Sequence, residues 1–123
     1  MIFGLGIDLV DIAKFSKSLE APNFKQKIFS LKERTLSPIH LAGRFAAREA
    51  FFKALDNQEL FNYRDLEVMK EINGKPRFKF FNELAKYCED KSVHLSISHT
   101  SKYAIAIVII ESKLPRNLLH PFL

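Results

Sequence analysis

At 123 residues the chain holds material for one domain, which at this size buries roughly two-thirds of the surface its unfolded form exposes. A composition 47% hydrophobic and 27% charged, with four Gly and five Pro, excludes a disordered or low-complexity chain, and a single cysteine, Cys88, excludes an internal disulfide or a multi-cysteine metal cluster. The net charge of +5 favours anionic partners, whether nucleic acid, phosphorylated metabolite, acidic protein or anionic membrane, and leaves the choice to the positions of the charges.

Twelve Phe and no Trp point to core or subunit packing, since Phe brings apolar area with no polar group to satisfy. Met1–Val10 is apolar but carries Asp8 and no basic region before it, which makes a poor signal peptide. Tyr103–Ile110 falls short of the about 20 residues that cross a bilayer. We expect no membrane span, an incidental thiol at Cys88, and residence in the cytoplasm.

Phe3–Val10 has the character of a strand, in which Asp8 would be costly to bury unpaired. Asp11 can cap a helix whose Ile12, Phe15, Ser16 and Leu19 share a face, and Asn23–Phe29 suits a second short helix after Pro22. Ser37-Pro38 is the strongest start signal, with Ser37 at the cap and Pro38 at the first helical position. It opens a long helix, Pro38–Leu55, with Leu41, Phe45, Phe52 and Leu55 at helical spacing and Ala42, Gly43, Ala46, Ala47, Ala50 and Ala54 permitting close approach. Asp56–Asn62 reads as a connection. Leu66–Phe80 reads as a hairpin turning at Asn73-Gly74, with Pro76 starting the return. Phe81–Glu89 suits a helix with Phe81, Leu84 and Ala85 on one face. Val93, Leu95 and Ile97 alternate with His94, Ser96 and Ser98 as in a half-buried strand, and the more uniformly apolar Tyr103–Ile110 suits a central one. The sum is an α+β fold: a compact single domain over residues 1–112, with a long central helix packed on an antiparallel sheet, and a peripheral tail over 113–123.

Charges inside the long helix need a reason. Glu49 and Lys53 stand one turn apart, either as a surface pair or, among small and aromatic neighbours, as a desolvated pair that a metal or phosphate would neutralise. Asp8 is a turn residue or a second carboxylate; two such oxygens with phosphate and water suit octahedral magnesium. Arg44 and Arg48 could serve a phosphate, an acidic partner or a buried ion-pair network. His99, beside Thr100 and Ser101, offers donors to phosphate oxygens or simply caps a turn. Gly74-Lys75-Pro76 is a firm turn and a weak phosphate signal.

Gly6-Ile7-Asp8-Leu9-Val10-Asp11-Ile12, the run from Arg44 to Leu55, Asn73-Gly74-Lys75-Pro76, and Leu95-Ser96-Ile97-Ser98-His99-Thr100 together resemble the short, single-domain holo-acyl-carrier-protein synthase family, the bacterial type of phosphopantetheinyl transferase. The likeness runs in order from about Met1 to Glu111. It implies magnesium-dependent transfer of 4'-phosphopantetheine from coenzyme A to a serine of apo acyl carrier protein, releasing 3',5'-ADP. It also implies a homotrimer with coenzyme A bound near each subunit interface. By the same resemblance Asp8 and Glu49 are the metal ligands and Lys53 contacts phosphate; for the serine proton, a metal-ordered water relayed to a carboxylate makes Glu49 the leading acceptor. Arg44 and His99 lie on the 3'-phosphate side, Thr100 is a further residue that binds the donor, and Asn73, Gly74, Lys75 and Pro76 border the nucleotide. Arg48 stands where the family commonly has Lys, and Lys14 where it often has Arg.

Lys14, Lys17, Lys25 and Lys27 give a basic early segment suited to an acidic carrier protein, with Lys14 the docking residue of choice from its family position. Two other readings compete. A metal-dependent nucleotide or pyrophosphate hydrolase would use the same carboxylates. A small basic RNA-binding protein would use the same charge, although its signature of interleaved basic and stacking residues is missing, so a nucleic-acid partner is not expected.

Overall fold

In the computed structural model, which describes residues 1–55 and 61–113, the N-terminal ten residues after Met1 run as a strand, β1 (Ile2–Asp11). Asp11 ends the strand and caps α1 (Ile12–Ser18), its side chain accepting from the Lys14 N–H at 3.1 Å. A short α2 (Phe24–Ile28) follows, then α3 (Pro38–Ala54), a 3-10 turn (Tyr63–Asp65), the hairpin β2 (Leu66–Lys70) and β3 (Pro76–Phe80), α4 (Asn82–Tyr87), β4 (Lys91–His99) and β5 (Tyr103–Ser112). The fold is the expected mixed α/β domain with a long helix on an antiparallel sheet. Of the expected connection Asp56–Asn62 and tail 113–123, residues 56–60 and 114–123 lie outside the described residues; Lys113 is bonded to the Asp90 carbonyl at 3.0 Å.

β5 is central, in the order β1-β5-β4, and β2-β3 form a separate two-stranded sheet. The helix α3 packs along β1 and β5, and its small residues decide how closely. Gly4 and Gly6 face it: a Cβ built on Gly6 would lie 1.8 Å from the Ala50 carbonyl oxygen, and one on Gly4 1.9 Å from that of Ala54. Side chains are excluded on the strand and limited to methyl groups on the helix, so backbone meets backbone there. Much of α3 is buried, including Leu41, Ala46, Ala47, Ala50 and Phe51.

The hairpin turns where expected, with Gly74 at φ 86° and its N–H donating to the Glu71 carbonyl at 2.8 Å; only glycine adopts that φ at no steric cost. Two expectations change in detail. Ser37 sits at the N-cap of α3, but its hydroxyl bonds to His40 Nδ1 at 2.8 Å and leaves the helix N–H groups uncapped by that side chain. β5 is central without being uniformly buried: Ala104, Ala106, Val108 and Ile110 face α3, while Ile105 and Ile107 are 38% and 39% exposed on the other face.

The open alternatives for Arg48 resolve inside the core. Its guanidinium is fully buried and forks onto both carboxylate oxygens of Glu33, with Nη1 to Oε2 at 3.0 Å and a shorter contact from Nη2 to Oε1. Its remaining donors reach the Leu66 carbonyl at 3.0 Å, the Tyr63 carbonyl at 3.1 Å and the Arg44 carbonyl at 3.4 Å. Satisfying every donor is what allows such a charge inside. Cys88 is also core, and burial pushes its thiol up to about 11, which leaves it protonated and unreactive at neutral pH.

Candidate active site

Close packing of β1 on α3 carries Asp8 to the helix face that holds Glu49 and Lys53. Asp8 lies inside the strand, opposite Ala106 in register, and not in a turn. Lys53 Nζ reaches across to Asp8 Oδ1 at 2.9 Å and to the Ile7 carbonyl at 3.1 Å. The helical neighbour Glu49 is thus not its ion-pair partner. With half of the Lys53 side chain in solvent, this pair adds under about 1 kcal/mol to stability, and its interest is positional.

Asp8 and Glu49 border one open hollow, together with Lys14, Phe15, Phe24 and Phe45. Glu49 also borders a second, smaller hollow with Phe52, Phe61 and Tyr63, where the Tyr63 hydroxyl donates to Glu49 Oε1 at 2.5 Å. Burial pushes the Tyr63 phenol well above its usual range, and the carboxylates of Glu49 and, more weakly, Asp8 add to the shift. Each carboxylate therefore has one oxygen engaged, Asp8 by Lys53 and Glu49 by Tyr63. Among the described residues no donor is seated on the other oxygen of either. Two hard oxygens on one hollow fit a magnesium ion that takes its remaining ligands from phosphate and water. No group of three or more His, Cys, Asp or Glu side chains is gathered among the described residues.

A third hollow, of about 210 Å³, gathers Ile39, His40, Gly43, Arg44, Lys70, Gly74, Pro76, Ile97 and His99. Arg44, Gly74, Pro76 and His99, chosen from separate stretches of sequence, thus meet. Among the described residues no carboxylate lines this hollow. Arg44 donates to the Val68 carbonyl at 3.4 Å and lies 3.5 Å from Glu33, while desolvation lowers its pKa. Asn73 borders a shallow depression with Lys70, Glu71, Ile72 and Arg77, and its side chain accepts from the Lys75 N–H at 3.0 Å. Lys75 is exposed at the hairpin tip. The Thr100 hydroxyl accepts from the N–H groups of Lys102 and Tyr103 and so shapes the β4–β5 turn.

The family model for the 4'-phosphopantetheinyl transferase superfamily matches residues 4–108. The chain belongs to that superfamily. Membership carries the family's reaction, transfer of 4'-phosphopantetheine from coenzyme A to apo acyl carrier protein with release of 3',5'-ADP. The transferase is 34% identical over 122 residues to the holo-[acyl-carrier-protein] synthase of Caldicellulosiruptor saccharolyticus, covering 92% of this chain and 99% of the relative. Its fold superposes on the holo-[acyl-carrier-protein] synthase of Neisseria meningitidis with a TM-score of 0.81 at 30% identity, over 91% of this chain and all (100%) of the other. On the Bacillus anthracis holo-(acyl-carrier-protein) synthase solved in complex with CoA (3',5'-ADP), the TM-score is 0.77 at 34% identity, covering 91% and 98%.

The structure also gives partners to polar residues that the sequence leaves unmarked. Tyr63 was silent because nothing in a polar connection marks a hydroxyl for a carboxylate 14 residues earlier. Glu33 sits on an irregular segment, and its role as the buried partner of Arg48 depends on a contact 15 residues along the chain. His40 had one local signal, its place three residues after Ser37 in the first turn of α3.

Proposed function

We propose that the corner formed by Asp8, Glu49 and Lys53 carries out the magnesium-dependent transfer, with Asp8 and Glu49 holding the ion and Lys53 serving the phosphate. The convergence of the two carboxylates on one hollow, with Lys53 alongside, carries this reading. Magnesium bound there supplies charge neutralisation for the diphosphate. Lys53, already reaching into this corner, exchanges its contact with Asp8 for the phosphate oxygens. The carrier serine oxygen forms a bond to the β-phosphorus, the bond from that phosphorus to the bridging oxygen breaks, and 3',5'-ADP leaves. Glu49 is the carboxylate placed to take the serine proton by way of water.

Arg44 and His99, with Gly74, Pro76 and, at the margins, Asn73, Lys75 and Thr100, hold the nucleotide end and its 3'-phosphate. The lining of their hollow, which brings Arg44, Lys70 and His99 together and holds no carboxylate among the described residues, supports an anion there. Because this hollow and the Asp8–Glu49 hollow are separate on the single chain, one coenzyme A is best accommodated between subunits. A homotrimer fits the outer sheet face, where Leu5, Ile7 and Leu9 of β1 lie opposite Ile109, Ile107 and Ile105 of β5 and Leu5, Ile7 and Leu9 are more than half exposed. Lys14, exposed on α1 and bordering the metal-side hollow, is the docking cation for the carrier. A place in the cytoplasm belongs to the same reading. No helix among the described residues is long and apolar enough to cross a membrane.

The deciding assay incubates the protein with coenzyme A, magnesium and apo carrier and weighs the carrier. A mass gain matching phosphopantetheine is expected. Phosphate release without any carrier would instead make it a hydrolase. Asp8→Asn and Glu49→Gln should each lower kcat/KM at least about 100-fold, a loss of about 2.7 kcal/mol of transition-state stabilisation, with the unfolding midpoint little changed.

A further inference from the structure

Glu49 stands between two hollows, and what happens on its far side is not accounted for by metal or donor contacts. There the Tyr63 hydroxyl donates to Oε1 at 2.5 Å. The ring that carries this hydroxyl is itself fixed. Phe52 meets it edge-on with centroids 5.2 Å apart, and Phe45 packs at 6.2 Å. Its backbone is fixed as well: the Tyr63 carbonyl accepts from the buried Arg48 Nε at 3.1 Å, and Arg48 is locked in turn by Glu33. The 3-10 turn is closed by Asn62 and Asp65, with the Asn62 N–H donating to Asp65 Oδ2 at 3.0 Å. A chain of contacts thus runs from the buried Glu33, through Arg48, to the carbonyl of Tyr63, and from its hydroxyl back to the helix at Glu49.

We propose that Tyr63 is a positioning residue for the metal site: it occupies one oxygen of Glu49 so that the carboxylate offers a single, oriented oxygen to a divalent cation in the hollow shared with Asp8. The inference rests on the reading of Asp8 and Glu49 as metal ligands and assigns to this chain the group that aims one of them. The chemistry requires such a group. A glutamate on a helix has three rotatable bonds and can present one oxygen or two, whereas magnesium accepts only near-octahedral geometry and does best with single oxygens from one or two carboxylates. A phenol O–H can only donate to a carboxylate, so it blocks Oε1 and leaves Oε2 for the ion. Asp8 is treated in parallel, since Lys53 covers its Oδ1. Hydrogen-bond partners of this kind orient ligands and tune affinity elsewhere.

The test is Tyr63→Phe, which keeps the ring packing and removes the donor. With coenzyme A present and Mn²⁺ as the probe, read by calorimetry or by the loss of free Mn²⁺ signal in electron paramagnetic resonance, the variant should bind about 10-fold more weakly than the wild type. The magnesium concentration giving half-maximal carrier modification should rise in parallel, while the KM for the carrier and the unfolding midpoint stay put. In a Glu49→Gln background the same replacement should have no further effect on Mn²⁺ binding, because its target is gone. Should the phenylalanine variant fail to fold, Tyr63→Leu is read the same way. Unchanged Mn²⁺ affinity in a folded variant overturns the role of Tyr63 and leaves the metal reading standing. A wild-type protein that binds no Mn²⁺ beside coenzyme A removes both.

Discussion

Arg48 and Glu49 are consecutive on one helix and have opposite fates: one charge is sealed in the core and the other borders two solvent hollows. The sealed one sets a stability prediction. Arg48→Met strands the Glu33 carboxylate, which is 1% exposed, with its main partner removed, and should cost about 3–5 kcal/mol in urea denaturation. Replacing Glu33 with an apolar residue in the same chain should recover much of that loss, since an uncompensated buried charge is the larger penalty. The sequence narrowed Arg48 to a phosphate, a partner or a buried network, and stopped there. Its partner lies 15 residues away on an irregular segment with no periodicity to read, so only the fold could choose. Asp8, Glu49 and Lys53 were more legible, because a charge that interrupts an otherwise apolar element is conspicuous in the residue order alone and demands an explanation.

At the level of elements, the contact between β1 and α3 sets the geometry of the site. Gly6→Ala places a methyl group 1.8 Å from the Ala50 carbonyl oxygen, and the strand must back away from the helix. The expected cost is about 1–3 kcal/mol, typical of overpacking, by thermal or urea unfolding. Because Asp8 lies two residues further along the same strand, transfer activity should fall even at temperatures where the variant is fully folded, and a variant that is destabilised yet fully active would break this link. Periodicity and turn chemistry disclosed the elements well: the capped α1, the Pro38 start of α3, the Asn73-Gly74 turn and the alternating β4 all stand where expected. The hydroxyl of Ser37 was not readable in the same way, because a cap can spend its side chain on the residue three along as easily as on the backbone. Nor could composition show that the isoleucines of β5 divide between a buried and an open face, since apolar residues on both sides look the same in sequence.

For the whole molecule, that open face is the feature to test. Ile107→Glu puts a charge at the middle of the β1–β5 outer surface, where Ile107 pairs with Ile7. The variant should remain folded, sediment as a monomer, and lose at least about 10-fold in carrier modification, or about 1.4 kcal/mol of activation free energy. An unaltered sedimentation coefficient with full activity would remove the proposed assembly. The same apolar surface has a consequence for how such an enzyme behaves in a cell or a cuvette. In the proposed assembly, where chains complete one another's sites, turnover depends on encounter, so below the assembly midpoint output should climb faster than in proportion to the number of copies, and a diluted stock should lose specific activity that concentrating it restores.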